Sequence, residues 1–369
     1  MKKLLAILFV LFFSHAAHAA CSSSGTVLTT ASMSNTDVQA CFNLVSATTT
    51  QVTIQGASST WTSGVTLNIP AGNTSLIIQW PNTCTPSGTP GTSGYTISCN
   101  DVSVVTDGMS GTGQLFVING VANAFRMTAF SFTTGRLQYN GMIGLNGNSQ
   151  SVRLDHGHIV LTQNQNGLSM IRVNGCINGV ADHDLLVMPS GSGNDNGIQE
   201  YNGATCYGDS LGLGDQVFAH ATGLGSSNFF IMEDSEIVNG ASNDCLDGGR
   251  FVIRHDTFLS TAPAPPIQTH ATAGTRRRGW RAWEIYDNYI ANTGVSEAFE
   301  TFRLESGTGV VFGNTVPNSN GGFAHLLSFH SERSSNYTYG EGVPPAGWGY
   351  CGINSGLAGD GANFDEILQ

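Results

Sequence analysis

The chain has 369 residues, 47 of them glycine, and only 11% are charged. Without Lys2 and Lys3, the only lysines, 12 arginines stand against 26 acids, a net −14. That balance excludes broad nucleic-acid binding and attraction to anionic membranes, and a lysine-free body excludes Schiff-base chemistry. In chain order, the start Met1-Lys2-Lys3, the apolar residues 4–13 and the small-x-small Ala17-His18-Ala19 read as a secretory signal over residues 1–20. A lipoprotein reading with Cys21 lipidated is the alternative, although His18 stands where leucine is expected. No later run approaches the roughly 20 apolar residues of a membrane span.

Past the signal, residues 37–44 predict a short helix that caps one end of the core. Val52-Thr53-Ile54, Val65-Thr66-Leu67 and Leu76-Ile77-Ile78 predict the first strands. Cys84 and Cys99 bracket a loop of Pro, Gly, Ser and Thr and are expected to pair. The other six of the eight cysteines leave their connectivity open. An even count in an exported chain favours disulfides over thiol chemistry. Residues 21–150 hold three acids and two arginines, whereas eight of the 12 arginines lie between Arg250 and Arg333, so charge-based chemistry is expected after residue 150.

Six later segments share one template: Leu154-Asp155-His156-Gly157-His158-Ile159, Ala181-Asp182-His183-Asp184-Leu185-Leu186, Met232-Glu233-Asp234-Ser235-Glu236-Ile237, Ile253-Arg254-His255-Asp256-Thr257-Phe258, Ile285-Tyr286-Asp287-Asn288-Tyr289-Ile290 and Val311-Phe312-Gly313-Asn314-Thr315-Val316. The first and last positions are always apolar. The fourth is always small or a turn former, and is expected to ladder at a left-handed turn. From Asp155 the spacings are 27, 51, 21, 32 and 26, the 51 reading as two turns with a degenerate copy near Tyr207-Gly208-Asp209. A period of this size, built of short strands and polar turns, predicts an all-β solenoid of parallel strands. After Arg333 the chain turns to Tyr, Gly, Pro and Trp, a tail expected to fold back on the last coils.

These residues resemble the pectate-lyase superfamily of secreted right-handed parallel β-helices, over about residues 37–330. The resemblance rests on Asp37-Val38-Gln39-Ala40, Trp61-Thr62-Ser63, Ile69-Pro70-Ala71-Gly72, Val152-Arg153-Leu154-Asp155-His156, Gly179-Val180-Ala181-Asp182-His183, Arg254-His255-Asp256-Thr257-Phe258 and Gly307-Thr308-Gly309-Val310-Val311-Phe312. It implies a single-stranded right-handed parallel β-helix with an N-terminal capping helix. Within pectate lyases proper, Asp247-Gly248 is similar to a step leading to calcium-binding carboxylates. Arg276-Arg277-Arg278-Gly279-Trp280-Arg281 is similar to the arginine-rich segment that holds the catalytic base. The family's proline is absent from that segment, and Glu284 replaces the histidine before its Asn-Asn turn.

Two constellations follow. Asp155, Asp182 and Glu233, with His156, His183, Asp234 and His255, form a ladder that suits a cation or a shared proton, or else ties the turns together structurally. The arginine segment, with His270, Glu284, Arg303 and Glu305, suits an acidic sugar, because arginine grips carboxylates bidentately. His270 is the easier base by its ordinary titration range. Trp280 and Trp283 lie three apart, so at most one faces outward as a sugar platform.

The expectation is a secreted, monomeric single domain over residues 21–335 with a tail over 336–369, acting on extracellular polysaccharide. In the leading mechanism, β-elimination on a uronate glycan, Arg278, Arg281 and Arg303 hold the carboxylate, His270 is the base and Glu284 stands with them. Arg276, Arg277, Trp280, Trp283 and Glu305 bind the chain, and calcium sits at Asp247 with Glu233 and Asp234. The alternatives are a glycoside hydrolase using Glu233, Glu284 or Glu305, and a non-catalytic glycan-binding solenoid.

Overall fold

The computed structural model describes residues 20–329, apart from 112, 137–140, 164–168, 190–195, 202–222, 247–248, 262–264, 270–279, 295–297, 305–306 and 318–322. The regular secondary structure described is all strands but for one helix, and the strands pair mostly in parallel. Among the described residues, no helix is long and apolar enough to cross a membrane.

Each pass of the chain lays one short strand on its predecessor. In the first sheet, Val27–Thr30, Gln51–Thr53, Ser75–Gln79, Ala124–Thr128, Ile143–Asp155, Ser169–Asp182, Phe230–Glu233, Arg250–Arg254, Ala282–Tyr286 and Thr308–Phe312 follow one another. Their inward residues form one column: Leu28, Val52, Ile78, Met127, Leu154, Ala181, Met232, Ile253, Ile285 and Val311. All ten are buried except Val311, which is half-buried at the end of the column. The six template starts therefore share one inward stack, as the sequence requires. A second sheet carries the other apolar end of the template, stacking Phe132, Ile159, Leu186, Ile237, Phe258 and Ile290.

Two template readings change. Ala181 pairs directly with Met232, and Asp182 with Glu233. The 51-residue interval is therefore one pass with a long insertion, not two turns, because directly paired strands leave no room for a third between them. The left-handed backbone falls on the third template position, not the fourth: His156, His183, Asp234, His255, Asp287 and Gly313 all have φ between 52° and 66°. A Cβ on Gly313 would stand 2.0 Å from Asp287 Oδ1.

The fourth position instead points inward and forms a buried polar ladder. Each backbone N–H donates to the equivalent side chain of the following pass: Gly157 to Asp184 Oδ1 (2.6 Å), Asp184 to Ser235 Oγ (3.2 Å), Ser235 to Asp256 Oδ1 (2.8 Å), Asp256 to Asn288 Oδ1 (2.9 Å) and Asn288 to Asn314 Oδ1 (3.1 Å). These bonds satisfy turn amides that the sheets leave unpaired. Burial pushes the Asp184 and Asp256 carboxyls well above their ordinary range.

The start of the core is closed by the helix Asn35–Phe42, whose N-cap Ser34 accepts the Asp37 N–H and whose Val38, Cys41 and Phe42 are buried. Cys21–Ser24 pairs antiparallel with Val27–Thr30, and Cys21 is bonded to Cys41. The Cys21 sulfur is thus committed to a disulfide rather than to a lipid thioether. Cys84 and Cys99 pair as expected, within an antiparallel hairpin of Thr83–Ser87 and Thr96–Asn100.

That hairpin docks on the turns between the two sheets. The buried Tyr95 donates its hydroxyl to the Asp234 carbonyl, and the Ile97 N–H donates to Glu236 Oε2 at 2.6 Å, 139 residues away. Asp101 Oδ2 pairs with His158 Nδ1 at 2.7 Å. Gly91, at φ +68°, approaches so closely that a Cβ there would meet the Asp287 carbonyl at 2.1 Å. The hairpin thus lies against the turns that carry His158, Asp234, Glu236 and Asp287.

Candidate functional site

Along the first sheet, residues alternate between core and surface, so one row of outward side chains repeats at about 4.8 Å per pass. The row just before the left-handed turns runs Thr128, Asp155, Asp182, Glu233, Arg254, Tyr286, Phe312. Two residues upstream on the same face stand Arg126, Arg153 and Glu284.

Arginines interleave the carboxylates of this row. Arg126 Nε lies 2.9 Å and its Nη2 2.6 Å from Asp155 Oδ2. Arg153 reaches both neighbours: Nε donates to Asp182 Oδ1 at 2.9 Å, Nη2 to Asp182 Oδ2 at 2.6 Å, and Nε also lies 2.9 Å from Asp155 Oδ2. Burial alone would raise the Asp155 carboxyl, but His156, Arg126 and Thr128 hold it down at about 2. The two Arg153 partners push its guanidinium up, with Asp182 the larger cause.

The layering is the informative feature. The side chains of Asp155 and Asp182 are 0% and 4% exposed, whereas those of Arg126 and Arg153 are 40% and 45% exposed. The carboxylates lie beneath and the guanidinium edges lie on top. Beside them His183 Nδ1 stands 2.6 Å from Asp182 Oδ2, and its ring stacks on His156 at 5.2 Å with 8° between planes.

Further along, Arg254 Nε donates to Glu233 Oε2 at 2.6 Å and Nη1 donates to the Tyr286 hydroxyl at 2.9 Å. Tyr286 in turn stacks on Phe312 at 4.8 Å with 4° between planes. His255 Nδ1 lies 3.5 Å from Asp234 Oδ1. Burial, and then the neighbouring Glu233, push the Asp234 carboxyl up.

The second constellation is only partly described. His270, Arg276, Arg277, Arg278, Glu305 and Asp247 lie outside the described residues. Arg281, at the entry to Ala282–Tyr286, is buried, and its backbone N–H donates to the Gly249 carbonyl at 2.8 Å. Trp280 and Trp283 are both buried in the main core, so neither offers an indole face to a sugar. Trp283 packs over Gly309, where a Cβ would stand 2.0 Å from the Trp283 carbonyl. Glu284 faces outward from the first sheet and accepts the Gly225 N–H at 2.5 Å. Arg303 belongs to a different sheet, in the strand Ala298–Leu304, and lies 3.6 Å from Glu300.

Among the described residues, no cluster of His, Cys, Asp and Glu is arranged to hold a metal ion. Glu233, expected with Asp234 as a calcium ligand, is gripped by Arg254 instead, and a cation beside it would face that guanidinium. The sequence named His183 and Asp182 as neighbours, but not Arg153 as the group that locks Asp182. The in-register alternation of Arg126, Arg153 and the acids was a signal that pointed there.

Compared with known proteins, the chain has no significant match to a family model, to a curated sequence or to a solved structure.

Proposed function

We propose that this protein is a secreted right-handed parallel β-helix that binds and cleaves an acidic, uronate-containing extracellular polysaccharide by β-elimination, on the outer face of its first sheet. Stacked parallel passes with one strand per sheet support the helix reading, and parallel crossovers are right-handed in about 98% of cases. The leader-like start and the disulfides support export.

The observation that carries the substrate class is the layering of Arg126 and Arg153 over Asp155 and Asp182. The whole chain is acidic, yet at this point solvent meets guanidinium rather than carboxylate. The Nη1 atom of each arginine takes no protein acceptor among the described residues, which leaves a donor for a sugar carboxylate. Passes about 4.8 Å apart give the face a linear repeat close to the rise of one sugar in an extended chain. A hydrolase reading has less support, because Glu233 is held by Arg254 and Glu284 by the Gly225 amide.

The test is a panel of neutral and uronate polysaccharides incubated with the purified full chain. Ultraviolet absorbance of an unsaturated product on uronate glycans alone is the expected result. New reducing ends without that absorbance would move the protein to the hydrolases. Retardation in affinity gels with neither would make it a binder.

A further inference from the structure

We propose that His183 is the general base of this site, that Asp182 is its positioning residue, and that Arg153 holds the carboxylate of the sugar being cleaved. The inference rests on the β-elimination reading and deepens it.

The local geometry is specific to this pass. Asp182 Oδ2 receives Arg153 Nη2 and His183 Nδ1, each at 2.6 Å, while Oδ1 receives Arg153 Nε at 2.9 Å. The carboxylate is 4% exposed and locked by three bonds, so it does not swing away. An ionised carboxylate only accepts, so the nitrogen facing it, Nδ1, carries a proton, and in the neutral ring the lone pair is then on Nε2. That nitrogen has no protein partner among the described residues, and the side chain is 26% exposed. The ring is further fixed by its stack on His156 and by the left-handed backbone at φ 58°.

The other described imidazole–carboxylate contacts lack this arrangement. His158 makes its 2.7 Å bond to Asp101 under the hairpin, with its side chain only 15% exposed. His156 Nδ1 lies 3.9 Å from Asp155, and His255 lies 3.5 Å from Asp234. Asp155 also carries exposed arginines, but its histidine stands 3.9 Å away; among the described residues, His183 alone joins a 2.6 Å contact to a carboxylate with an exposed arginine on that same carboxylate.

This juxtaposition matches the substrate. In a uronate, the carboxylate and the acidic C–H are on adjacent carbons. His183 Nδ1 and Arg153 Nη2 share one Asp182 oxygen and so stand at most about two hydrogen-bond lengths apart, which keeps the ring and the guanidinium side by side. With the sugar carboxylate on Arg153 Nη1, His183 Nε2 takes the proton from the carbon next to it. The C–H electron pair becomes the ring double bond, and the C–O bond to the neighbouring sugar breaks. The leaving oxygen keeps that bond's electrons and takes a proton from water. Arg153 stabilises the charge that builds on the carboxylate as the proton leaves.

The experiment uses the full chain on the uronate polysaccharide that the panel identifies, with polygalacturonate and alginate as the first probes. His183→Gly relieves the left-handed backbone and leaves room for added imidazole, and His183→Asn also tolerates that conformation. Both variants are expected to lose about 10²–10⁴-fold in kcat, with KM nearly unchanged. Free imidazole should restore part of the His183→Gly loss. Asp182→Asn should lower kcat more than KM. Cleavage that persists at the wild-type rate in folded His183→Gly and His183→Asn overturns the assignment while leaving the lyase reading standing. Loss of activity without imidazole rescue, together with a raised KM, makes His183 a binding group and also overturns it. An inert wild-type chain sinks the lyase reading and the base with it.

Discussion

Replacing Asp256 by asparagine is expected to stabilise the protein, by an amount that grows with pH. Asp256 is fully buried in the polar ladder, where Oδ1 accepts the Ser235 N–H and Oδ2 has no partner. The next two rungs are asparagines, whose Nδ2 groups donate to carbonyls one pass back: Asn288 to Ile253 and Asn314 to Ile285, each at 3.0 Å. By register, the equivalent acceptor for residue 256 is the Met232 carbonyl. An amide fills that contact without a proton to manage. Satisfying a buried polar atom is worth about 1–3 kcal/mol. The pH dependence has a definite sign. The folded carboxyl titrates well above its ordinary value of 3.8, so the native state holds a proton that the unfolded chain releases. Wild-type stability from this group is therefore full below that value and falls by up to about 1.4 kcal/mol per pH unit above it. Asp256→Asn should exceed the wild type by about 1–3 kcal/mol near pH ~4, from the filled contact, and the gap should widen as pH rises towards neutrality. Denaturant melts of both proteins across pH check this. A variant that is less stable, or a difference that does not change with pH, would refute the reasoning and place an ionised, compensated Asp256 in the core.

Three further outcomes follow from the same structure. Asp155, held down at about 2 against an ordinary 3.8, contributes about 2 kcal/mol that is present above pH ~4 and lost as pH falls towards ~2; Asp155→Asn should flatten that part of an acid-unfolding curve. Ile253→Ala, in the inward column, should cost about 2–5 kcal/mol in a denaturant melt and disturb every activity together. Because Arg254 occupies Glu233, a strong chelator should leave glycan cleavage at its untreated rate; loss on chelation with recovery on added calcium would show a metal site outside the described residues.

The strand register was legible in the sequence because it is local and repeated. An apolar residue two before each turn residue places Leu154, Ala181, Met232, Ile253, Ile285 and Val311 on the same side of successive strands, and identical passes stack like on like. Cys84 and Cys99 were legible for a similar reason, being 15 residues apart across one hairpin. Tertiary structure decided what depends on contacts between distant segments. Six turn positions accept the left-handed conformation because His, Asp and Gly tolerate it, yet only the inward ladder of Asp184, Ser235, Asp256, Asn288 and Asn314 shows which neighbour points to the core. The 51-residue interval proved to be one pass because Ala181 and Met232 share a ladder, which spacing alone does not reveal. Arg281 and one of Trp280 and Trp283 read as surface groups from their charge and aromatic content, but packing placed all three inside. The stacking of Arg153 over Asp182 crosses 29 residues of chain, so the sequence supplied both charges and only the fold set one above the other.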